Sequence, residues 1–391
     1  MQFRSISMTI NVSQISKDLV AQRGLPAKVF KDDDVFETEC DVLFAQGWAS
    51  IGCGQQLQNS GDILPVKIAG HSLIAIKNKA GEIGVFHNVC RHKGSPLVDE
   101  PCNKRTLVCP YHRWSYELDG SLISAPRFYG SDNKPISHKD KLGKGLIPVR
   151  FSIWWDIIFV NISADAEPFD QFIKPLNELL KDYPNDHLYQ VSTTDYAGDV
   201  NWKLAVDNFL DGYHVPFVHS QACTLESALD QEDLFVSESI LGLRLVSGAS
   251  KKPAKTSKKL PHFDGLLPEK QGSQQWFCIF PNTLFFVDPC WVQTIVVKPQ
   301  KTCFSTESLT VYVVNEQAAS DDFIDERSIL QDVLNEVNQQ DIELLDKIQV
   351  TRASEAANNG NLNDAWDQVN KAFHLQWLTK MNNQPSTSRQ S

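Results

Sequence analysis

The sequence predicts an α+β protein in which a small antiparallel β domain precedes a larger domain built from a sheet and one long helix. Short apolar runs separated by Gly and Pro fill residues 48–161, a pattern typical of an antiparallel β domain. Residues 162–382 instead combine amphipathic helical segments with further strand-like runs. The apolar periodicity of Asp321–Ile348 predicts one long helix near the C-terminal end.

Four segments are expected along the 391 residues. Residues 1–47 are predicted to be helical in two pieces, interrupted at Pro26, and to pack on the larger domain. The β domain comprises residues 48–161 and the larger domain residues 162–382, and the polar residues 383–391 are expected to be a disordered tail. The strands expected in the β domain include Ile63–Ile68, Ser72–Ile76, Ile83–His87 and Thr106–Cys109. The larger domain is expected to contain helices at Phe169–Leu180 and Trp202–Tyr213 and strands at Trp276–Val287, Trp291–Val297 and Ser305–Val314.

The composition indicates a globular protein of a reducing compartment. The chain has 37 Lys and Arg against 48 Asp and Glu, a net charge of −11, which disfavours nucleic acid as a partner. No apolar run approaches the roughly 20 residues that span a bilayer, and the N-terminal residues lack the apolar core of a secretory signal. The nine Cys are an odd number, which argues against a disulfide framework. We therefore expect a cytoplasmic protein.

Two short motifs in the β domain each pair one Cys with one His. Cys90-x-His92 and Cys109-x-x-His112 are separated by 16 residues, and each follows an apolar run at the end of a predicted strand. Two thiolates and two imidazoles bind zinc or divide between the two irons of a [2Fe–2S] cluster. Small zinc sites usually pair Cys with Cys and His with His, whereas here each loop offers one of each. The pattern therefore favours a Rieske-type [2Fe–2S] centre over zinc.

The second dense segment runs from Asp207 to His219 and contains two histidines. His214 and His219 are five residues apart, so on a regular helix their side chains would point about 140° apart and could not share a metal. Pro216 between them cannot continue a normal helix, and we expect the helix to end or distort near Val215 and bring the imidazoles together. Two His and one carboxylate form the facial triad of non-haem Fe(II) oxygenases, which leaves positions open for O₂ and substrate.

Three Asp residues are candidates for the carboxylate of such a triad. Asp211 shares a helix face with His214. On the long helix, Asp341 is predicted at the centre of an apolar stripe, where a buried carboxylate must be paired or bind a metal. That stripe comprises Leu330, Leu334, Val337, Leu345 and Ile348, whereas Asp332, Glu343 and Asp346 fall on the opposite, solvated side. We predict Asp341 as the third ligand and Asp346 as the alternative; otherwise Asp341 is a buried carboxylate satisfied by donors of the core.

These motifs resemble those of the α (oxygenase) subunits of Rieske non-haem iron oxygenases, which include aromatic-ring hydroxylases and choline-type monooxygenases. The matching stretches are Leu25–Ala27, Asn88–Gly94, Cys109–Trp114, Asp119–Gly120, Ala125–Phe128 and Asp207–His219. The resemblance implies a Rieske β domain beside a helix-grip-type catalytic domain, whose antiparallel sheet surrounds a long C-terminal helix. It also implies a head-to-tail homotrimer in which the cluster of one subunit reduces the iron of the next. Asp211 then matches the carboxylate that bridges a cluster histidine and an iron histidine.

The chain departs from the family pattern at three places. The residue after His112 is usually Gly in this family and is Arg113 here, so the local loop or the partner-docking face is expected to differ. Choline-type members tend to carry an extra Gly in the Asp-Gly-Tyr-His stretch that this chain lacks. Asn208 is one residue closer to the His pair than its counterpart in some ring hydroxylases, and we assign it no role.

The combined motifs predict the oxygenase component of an enzyme that hydroxylates a small organic substrate with O₂. The cluster ligands are Cys90, His92, Cys109 and His112, and the Fe(II) ligands are His214, His219 and Asp341. Because the chain lacks G-x-G-x-x-G and the Cys spacing of a plant-type ferredoxin, electrons must come from a separate flavin- or ferredoxin-type NAD(P)H reductase. Residues 84–150 carry 11 Lys and Arg against 6 Asp and Glu, which fits docking of an acidic partner.

The choline and betaine branch of the family favours a quaternary-ammonium or N-methyl substrate, with aromatic-ring hydroxylation as the alternative. The strand-like segments contain Trp276, Phe277, Phe280, Phe285, Phe286 and Trp291, most of them expected in the core. Their faces suit a flat ring or, through cation–π contacts, an ammonium group. A Rieske electron carrier without oxygenase activity and a zinc-stabilised binding module are the alternatives from other classes. The segment Lys251–Lys259 is expected to be a solvated loop, or else a gate or partner contact.

Overall fold

The computed structural model describes residues 11–131, 134–220, 231–245, 259–358 and 360–382. The chain divides into two compact units, one formed by Ser50–Asp165 and the other by the described residues of Met1–Ala49 and Ala166–Ser391. The sequence predicts the corresponding borders after residues 47 and 161. The expected tail, residues 383–391, and all of the lysine segment except Lys259 lie outside the described residues.

The α-helices are α1 (Val12–Val20), α2 (Asp33–Glu39), α3 (His138–Lys141), α4 (Phe169–Leu179), α5 (Trp202–Phe209), α6 (Val215–Val218), α7 (Glu316–Ala319), α8 (Ile324–Thr351) and α9 (Gln368–Asn382). The first strands are β1 (Ala49–Cys53), β2 (Asp62–Ile68), β3 (His71–Lys77), β4 (Ile83–His87), β5 (Cys102–Asn103), β6 (Leu107–Val108), β7 (Ser115–Tyr116), β8 (Leu122–Ser124), β9 (Arg150–Trp154) and β10 (Ile157–Asn161). The remaining strands are β11 (Tyr189–Gly198), β12 (Gln231–Ser237), β13 (Ile240–Leu245), β14 (Gln274–Ile279), β15 (Thr283–Val287), β16 (Trp291–Lys301) and β17 (Phe304–Val313).

The unit Ser50–Asp165 is a small β structure made of three sheets. Their strand orders are β1-β10-β9, β4-β3-β2-β5 and β6-β7-β8. The four strands expected from the sequence are present as β2, β3, β4 and β6, although β6 has only two residues. Apolar side chains of these strands, such as Ile74, Ile76 and Leu107, are fully buried and form the core beneath the loops that follow β4 and β6.

The other unit contains one seven-stranded antiparallel sheet with the order β11-β17-β16-β15-β14-β13-β12. The long helix α8 lies against one face of this sheet. Asn335 of α8 accepts a hydrogen bond from the hydroxyl of Tyr196 in β11, and Asn338 donates to the carboxyl group of Glu307 in β17. The predicted α+β class is therefore confirmed. No helix among the described residues is both long and apolar enough to cross a membrane.

Two predicted elements of this unit are wrong in their bounds. The expected strand Trp276–Val287 is two strands, since β14 ends at Ile279 and β15 begins at Thr283. Pro281 lies between them and has no N–H for a ladder hydrogen bond, so the chain turns there. The expected helix Trp202–Tyr213 ends at Phe209, six residues before Val215, where the sequence predicted its end or distortion.

A buried ion pair joins three helical segments of this unit. Glu39, at the end of α2, and Lys203 in α5 are both fully buried, and their charged groups are 2.7 Å apart. Glu39 also accepts hydrogen bonds from the indole N–H groups of Trp202 in α5 and Trp377 in α9, at 2.8 and 2.7 Å. Burial lowers the pKa of Lys203 below its ordinary value, an effect that the negative charge of Glu39 opposes. One carboxylate thus holds three helical segments together.

We expect the Glu39→Leu substitution to destabilise the protein by about 3–5 kcal/mol, because it leaves a buried ammonium group and two indole N–H groups without their acceptor. Urea denaturation followed by far-UV circular dichroism measures this loss. Glu178→Ala is the control, since Glu178 and Lys174 form an exposed pair at 3.8 Å, which contributes about 0.5 kcal/mol or less. A loss for Glu39→Leu no larger than for the control would contradict the proposed importance of the buried pair.

Candidate functional site

The two Cys–His motifs of the β unit lie on loops that converge. Cys90 follows β4 and Cys109 follows β6, and both thiols are almost completely buried, with exposures of 2% and 1%. The rings of His92 and His112 are 4.5 Å apart between centroids, on the more exposed side of the loops. The site therefore has two thiols on its inner side and two imidazoles on its outer side.

Backbone and aromatic contacts fix the two loops. Within the first, Gly94 N–H donates to Cys90 C=O, and within the second, Arg113 N–H donates to Cys109 C=O. The ring of His92 is stacked on Trp114, with centroids 5.0 Å apart and planes within 6°. Such packing holds the imidazole in one orientation before any metal is bound.

Hydrogen-bonding groups lie close to both sulfur atoms. Burial by itself would raise the pKa of the Cys109 thiol, but the backbone N–H groups of Tyr111 and His112 point at the sulfur and the pKa is lowered on balance. The hydroxyl of Tyr116 lies 3.2 Å from Cys90 Sγ and accepts a hydrogen bond from Arg91 N–H. Burial raises the pKa of Tyr116, so this hydroxyl keeps its proton and can donate it to the sulfur. Two thiolates on one side and two imidazoles on the other fit the division of ligands in a Rieske cluster.

A second cluster in the larger unit consists of His214, His219 and Asp341. Asp341 Oδ1 lies 2.9 Å from His219 Nε2 and 3.4 Å from His214 Nε2. One ligand atom from each of the three residues lies within 4.8 Å of the others. Among the described residues, this is the one group of three or more His, Cys, Asp or Glu side chains that meets this condition.

The short helix α6 brings the two imidazoles together. His214 is its N-cap and His219 its C-cap, so the histidines flank a single helical turn instead of occupying one regular helix. Pro216 lies in the first turn of α6, where its missing N–H needs no partner. The sequence predicted that Pro216 would end a helix between the histidines, whereas it begins a new one.

Gln340 fixes the orientation of one imidazole. Its side-chain oxygen lies 2.8 Å from His219 Nδ1 and accepts a hydrogen bond from the Nδ1–H. This leaves Nε2, which is 2.9 Å from Asp341 Oδ1, as the nitrogen that can bind a metal. Gln340 was not found from the sequence, where a Gln beside Asp341 carries no distinguishing signal. The two Nε2 atoms and the carboxylate form a donor set that fits a divalent cation.

The electrostatics of the cluster show strong mutual attraction. Burial alone would raise the pKa of Asp341, but hydrogen bonding to the two imidazoles lowers it to about 2. Burial alone would lower the pKa of His214, but the carboxylates of Asp211 and Asp341 raise it to about 9. Two carboxylates around the imidazoles thus provide the negative potential that a cation needs.

The predicted reason for choosing Asp341 is wrong, although the residue does lie beside both imidazoles. The buried line of α8 consists of Asn338, Ile342, Leu345 and Gln349, and Asp341 lies at its edge with a side chain 19% exposed. Polar Asn338 and Gln349 occupy this line because each has a partner in the core, Asn338 the carboxyl group of Glu307 and Gln349 the backbone N–H of Asn201.

The alternative ligand Asp346 is not part of the cluster, and the residue is partly buried. Its Oδ1 is buried, and it faces Gly198, where a Cβ would lie 3.2 Å from it. Asp211 lies 3.3 Å from His214 Nδ1, with a side chain 29% exposed, and its Oδ1 accepts a hydrogen bond from Tyr213 N–H. Asp211 therefore touches an imidazole on the side opposite to Asp341.

Asp207 anchors the end of α5 and was missed by the sequence analysis. It accepts hydrogen bonds from the side chain of Asn370 and lies 3.2 Å from His374 Nε2, both in α9. Burial would raise the pKa of Asp207, but His374 lowers it below the ordinary value. The partners are more than 160 residues away in the chain, so no local spacing pointed to them.

The fold and these two sites define a class of protein with a [2Fe–2S] domain joined to a mononuclear-metal domain. A model of the Rieske [2Fe-2S] domain matches residues 47–131, and a model of the ring hydroxylating alpha subunit (catalytic domain) matches residues 185–383. The second match covers half of the chain, and the chain belongs to this family. The predicted family and the two types of cofactor, a Rieske cluster and a mononuclear iron, are confirmed.

The relatives include oxygenase subunits that are named for quaternary ammonium compounds. The chain is 32% identical over 221 residues to the glycine betaine monooxygenase oxygenase subunit of Chromohalobacter salexigens, a match that covers 55% of this chain and 48% of the relative. It is 26% identical to the chloroplastic choline monooxygenase of Arabidopsis thaliana, covering 86% and 78%. The match thus spans about half the length of the first of these relatives.

The fold is also similar to that of a solved ring dioxygenase. The crystal structure of naphthalene 1,2-dioxygenase from Rhodococcus sp. bound to indole has a TM-score of 0.79 and 19% identity, and covers 96% of this chain and 98% of that one. At this identity the likeness shows the shared fold.

The departure at Arg113 has a structural cost. Arg113 adopts a φ of 60°, the left-handed region that favours the glycine usual at this place. Its side chain is exposed, so a glycine would lose little packing.

We expect Arg113→Gly to stabilise the β unit by about 1 kcal/mol, because the left-handed conformation costs a residue with a Cβ roughly that much. Urea denaturation of the full chain, followed by tryptophan fluorescence, measures the change. Arg91→Gly in the other loop is the matched control, since Arg91 is exposed and has a negative φ, and glycine should there reduce stability. Equal effects of the two substitutions would refute the explanation.

Proposed function

We propose that this chain is the oxygenase component of a Rieske non-haem iron monooxygenase that hydroxylates a quaternary-ammonium or N-methyl compound. The observation that carries the proposal is the convergence of two imidazole Nε2 atoms on one Asp341 oxygen, in a chain that also carries a Rieske domain. A Rieske electron carrier would need no such His–His–Asp cluster.

In this proposal Cys90, His92, Cys109 and His112 hold the [2Fe–2S] cluster, and His214, His219 and Asp341 hold the Fe(II). When bound, the cluster supplies electrons one at a time, and the mononuclear iron supplies O₂ binding and oxidation of a C–H bond. Gln340 keeps His219 in the tautomer that offers Nε2. The buried thiols and the stacked His92 ring keep the cluster ligands in place without rearrangement.

The names of the relatives support the substrate class. Hydroxylation of an N-methyl group consumes O₂, two electrons and two protons and gives an N-hydroxymethyl group and water. The N-hydroxymethyl product then breaks down to the demethylated amine and formaldehyde. Aromatic-ring hydroxylation is the second candidate, which the fold similarity to a naphthalene dioxygenase favours.

We expect the purified wild-type protein to contain about three irons and two acid-labile sulfides per chain, since a Rieske cluster holds two irons and the His–His–Asp cluster one. Asp341→Ala should retain about two irons and both sulfides and should lose activity. Asp332→Ala is the control, since Asp332 is exposed on the same helix.

Turnover assays with a competent reductase, NADH, and either glycine betaine or naphthalene separate the two candidate reactions. Formaldehyde release from glycine betaine supports the proposal. Formation of a dihydrodiol from naphthalene without formaldehyde release would favour ring hydroxylation. A protein in which Asp341→Ala leaves the iron content unchanged would contradict the assignment of the ligands.

The partners we propose are a separate flavin- or ferredoxin-type NAD(P)H reductase and two further copies of this chain in a homotrimer, in the cytoplasm. Exposed aromatic side chains beside Asp211 support contact with another copy. Tyr213 and Phe217 are 43% and 64% exposed, and Tyr213 is stacked on Trp366 at 4.8 Å. In the proposed trimer, Asp211 connects His214 to a cluster histidine of the neighbouring subunit.

Mixed trimers of Cys109→Ser and Asp341→Ala subunits test this path of electrons. Each variant alone should be inactive, because one lacks the cluster and the other the mononuclear iron. Purified mixed trimers should restore roughly a third of the wild-type activity, because in a head-to-tail ring one of the three subunit junctions pairs an intact cluster with an intact iron site. Coexpression with two affinity tags and a turnover assay measure it. Purified mixed trimers without activity would rule out transfer between subunits.

A further inference from the structure

The register of the large sheet shows which side chains face helix α8. Tyr196 and Glu307 contact α8 and therefore mark that face. Glu307 is paired with Val297 across β17 and β16. Because side chains alternate along a strand, Gln293 and Trp291 of β16 share this face with Val297.

The same register identifies the side chains that face α8 on the next two strands, β15 and β14. Gln293 is paired with Phe286 of β15, and Phe286 with Trp276 of β14. Phe277 and Phe285 are the intervening residues, point to the opposite face and are fully buried. Phe280 packs against Trp202 and Phe373. Of the six aromatic residues singled out from the sequence, these three are therefore core and the other three face α8.

Trp276, Phe286 and Trp291 form a continuous aromatic surface on the α8 face. Ring centroids of Trp276 and Phe286 are 4.7 Å apart, and those of Phe286 and Trp291 are 4.5 Å apart. Phe286 lies on the strand between the other two and is buried, whereas both indoles are partly exposed. Two indole faces supported by a buried phenyl ring are a suitable surface for a cation.

A carboxylate lies directly beside this surface. Asp288 follows Phe286 by two residues on the same face, and its backbone N–H donates to Trp291 C=O. Its side chain accepts hydrogen bonds from Gln274 Nε2 at 2.7 Å and from Cys290 N–H at 2.9 Å. No Lys or Arg in the described part of the chain forms an ion pair with it. Burial raises the pKa of Asp288, an effect that its hydrogen bonds to Gln274 and Cys290 and the charge of His262 oppose.

The residues paired across the sheet at the level of Trp291 and Asp288 extend to the segment after α5 that carries His214. Gln274 is paired with Leu245 of β13, and Leu245 with Gln231 of β12. The side-chain oxygen of Gln231 lies against Gly212, only 1.9 Å from where a Cβ of that residue would be. Trp291 and Asp288 are therefore at one end of this set of paired residues. Gln231, at the other end, contacts Gly212, the residue next to Asp211.

We propose that Trp276, Phe286, Trp291 and Asp288 form the subsite that binds the quaternary ammonium group of the substrate. This inference rests on the proposed function and specifies its substrate class. A quaternary nitrogen has no N–H to donate, so it is recognised by aromatic faces and by charge instead of by hydrogen bonds. The Asp288 oxygens accept hydrogen bonds from neutral donors, and a cation bound beside them would favour the charged form of this carboxylate. A neutral arene would gain nothing from this carboxylate.

Calorimetric titration of the anaerobic protein, loaded with both iron centres, tests the subsite without turnover. The probes are glycine betaine, choline and the tert-butyl analogue of each, in which carbon replaces the nitrogen. We expect the wild type to bind each cation more tightly than its analogue. Asp288→Asn and Trp276→Leu should each raise the Kd for the cations about tenfold, within the range of roughly 3- to 30-fold for one cation–π or charge contact. The Kd for the analogues should change less than about threefold.

Matched variants distinguish a role in cation binding from a structural role of the same side chains. Trp276→Phe retains an aromatic face and should recover part of the cation affinity, which a purely structural role of the indole would not predict. Asp195→Asn is the charge control, because Asp195 is one residue from Tyr196 in β11 and points to the opposite face, where it contacts Ser308. Asp288→Asn changes no volume, so it reports on charge even if Trp276→Leu does not fold.

The outcomes separate the subsite from the proposed function. If the wild type binds and demethylates glycine betaine while Asp288→Asn and Trp276→Leu keep the wild-type preference for cations, the subsite is wrong and the function stands. If the wild type binds neither cation better than its analogue but oxidises naphthalene, the function is wrong and the subsite with it.

Discussion

The carboxylate of Glu39 is the interaction on which the larger unit depends. It is out of reach of water and holds the ammonium group of Lys203 and two indole N–H groups, so it joins α2, α5 and α9. Removal of either partner of such a pair destabilises the fold, because the other charge is left uncompensated in a medium of low dielectric constant. Asp207 attaches the far end of α5 to α9. The arm that carries His214 therefore starts from a helix that is fixed at both ends.

The two faces of the sheet show how one strand serves packing and recognition together. Along β14 and β15, alternate aromatic residues either fill the core or face α8. The fully buried phenyl rings of Phe277 and Phe285 anchor the strands, and their neighbours Trp276 and Phe286 are thereby held at fixed positions. A binding surface made from strand residues is more rigid than one made from loops, because its backbone is hydrogen-bonded on both sides.

Most of the fold, and the choice of candidate site residues, could be predicted from local patterns in the sequence. The Cys–His spacing, Pro216 and the long periodic helix are all local signals, and each corresponds to an element of the structure. Some errors were local, since Pro281 divides a predicted strand and Pro216 begins a helix instead of ending one. The other errors came from long-range contacts. Asn338 and Gln349 occupy the buried line of α8 because distant partners satisfy them, so a count of apolar residues misplaced its centre. For the same reason Gln340 and Asp207 gave no signal: their roles depend on side chains that only the fold brings near.

The inner position of the two thiols has a consequence for chemical durability. With exposures of 2% and 1%, Cys90 and Cys109 are shielded by the protein core on one side and by the imidazole-bearing loops on the other. Sulfur oxidation to sulfenic or sulfinic acid requires contact between a thiolate and an oxidant such as hydrogen peroxide. Peroxide in the medium meets the exposed His92 first, whose ring is stacked on Trp114, and the hydroxyl of Tyr116 lies beside Cys90 Sγ. The burial of these two sulfur atoms therefore protects them from oxidation by peroxide.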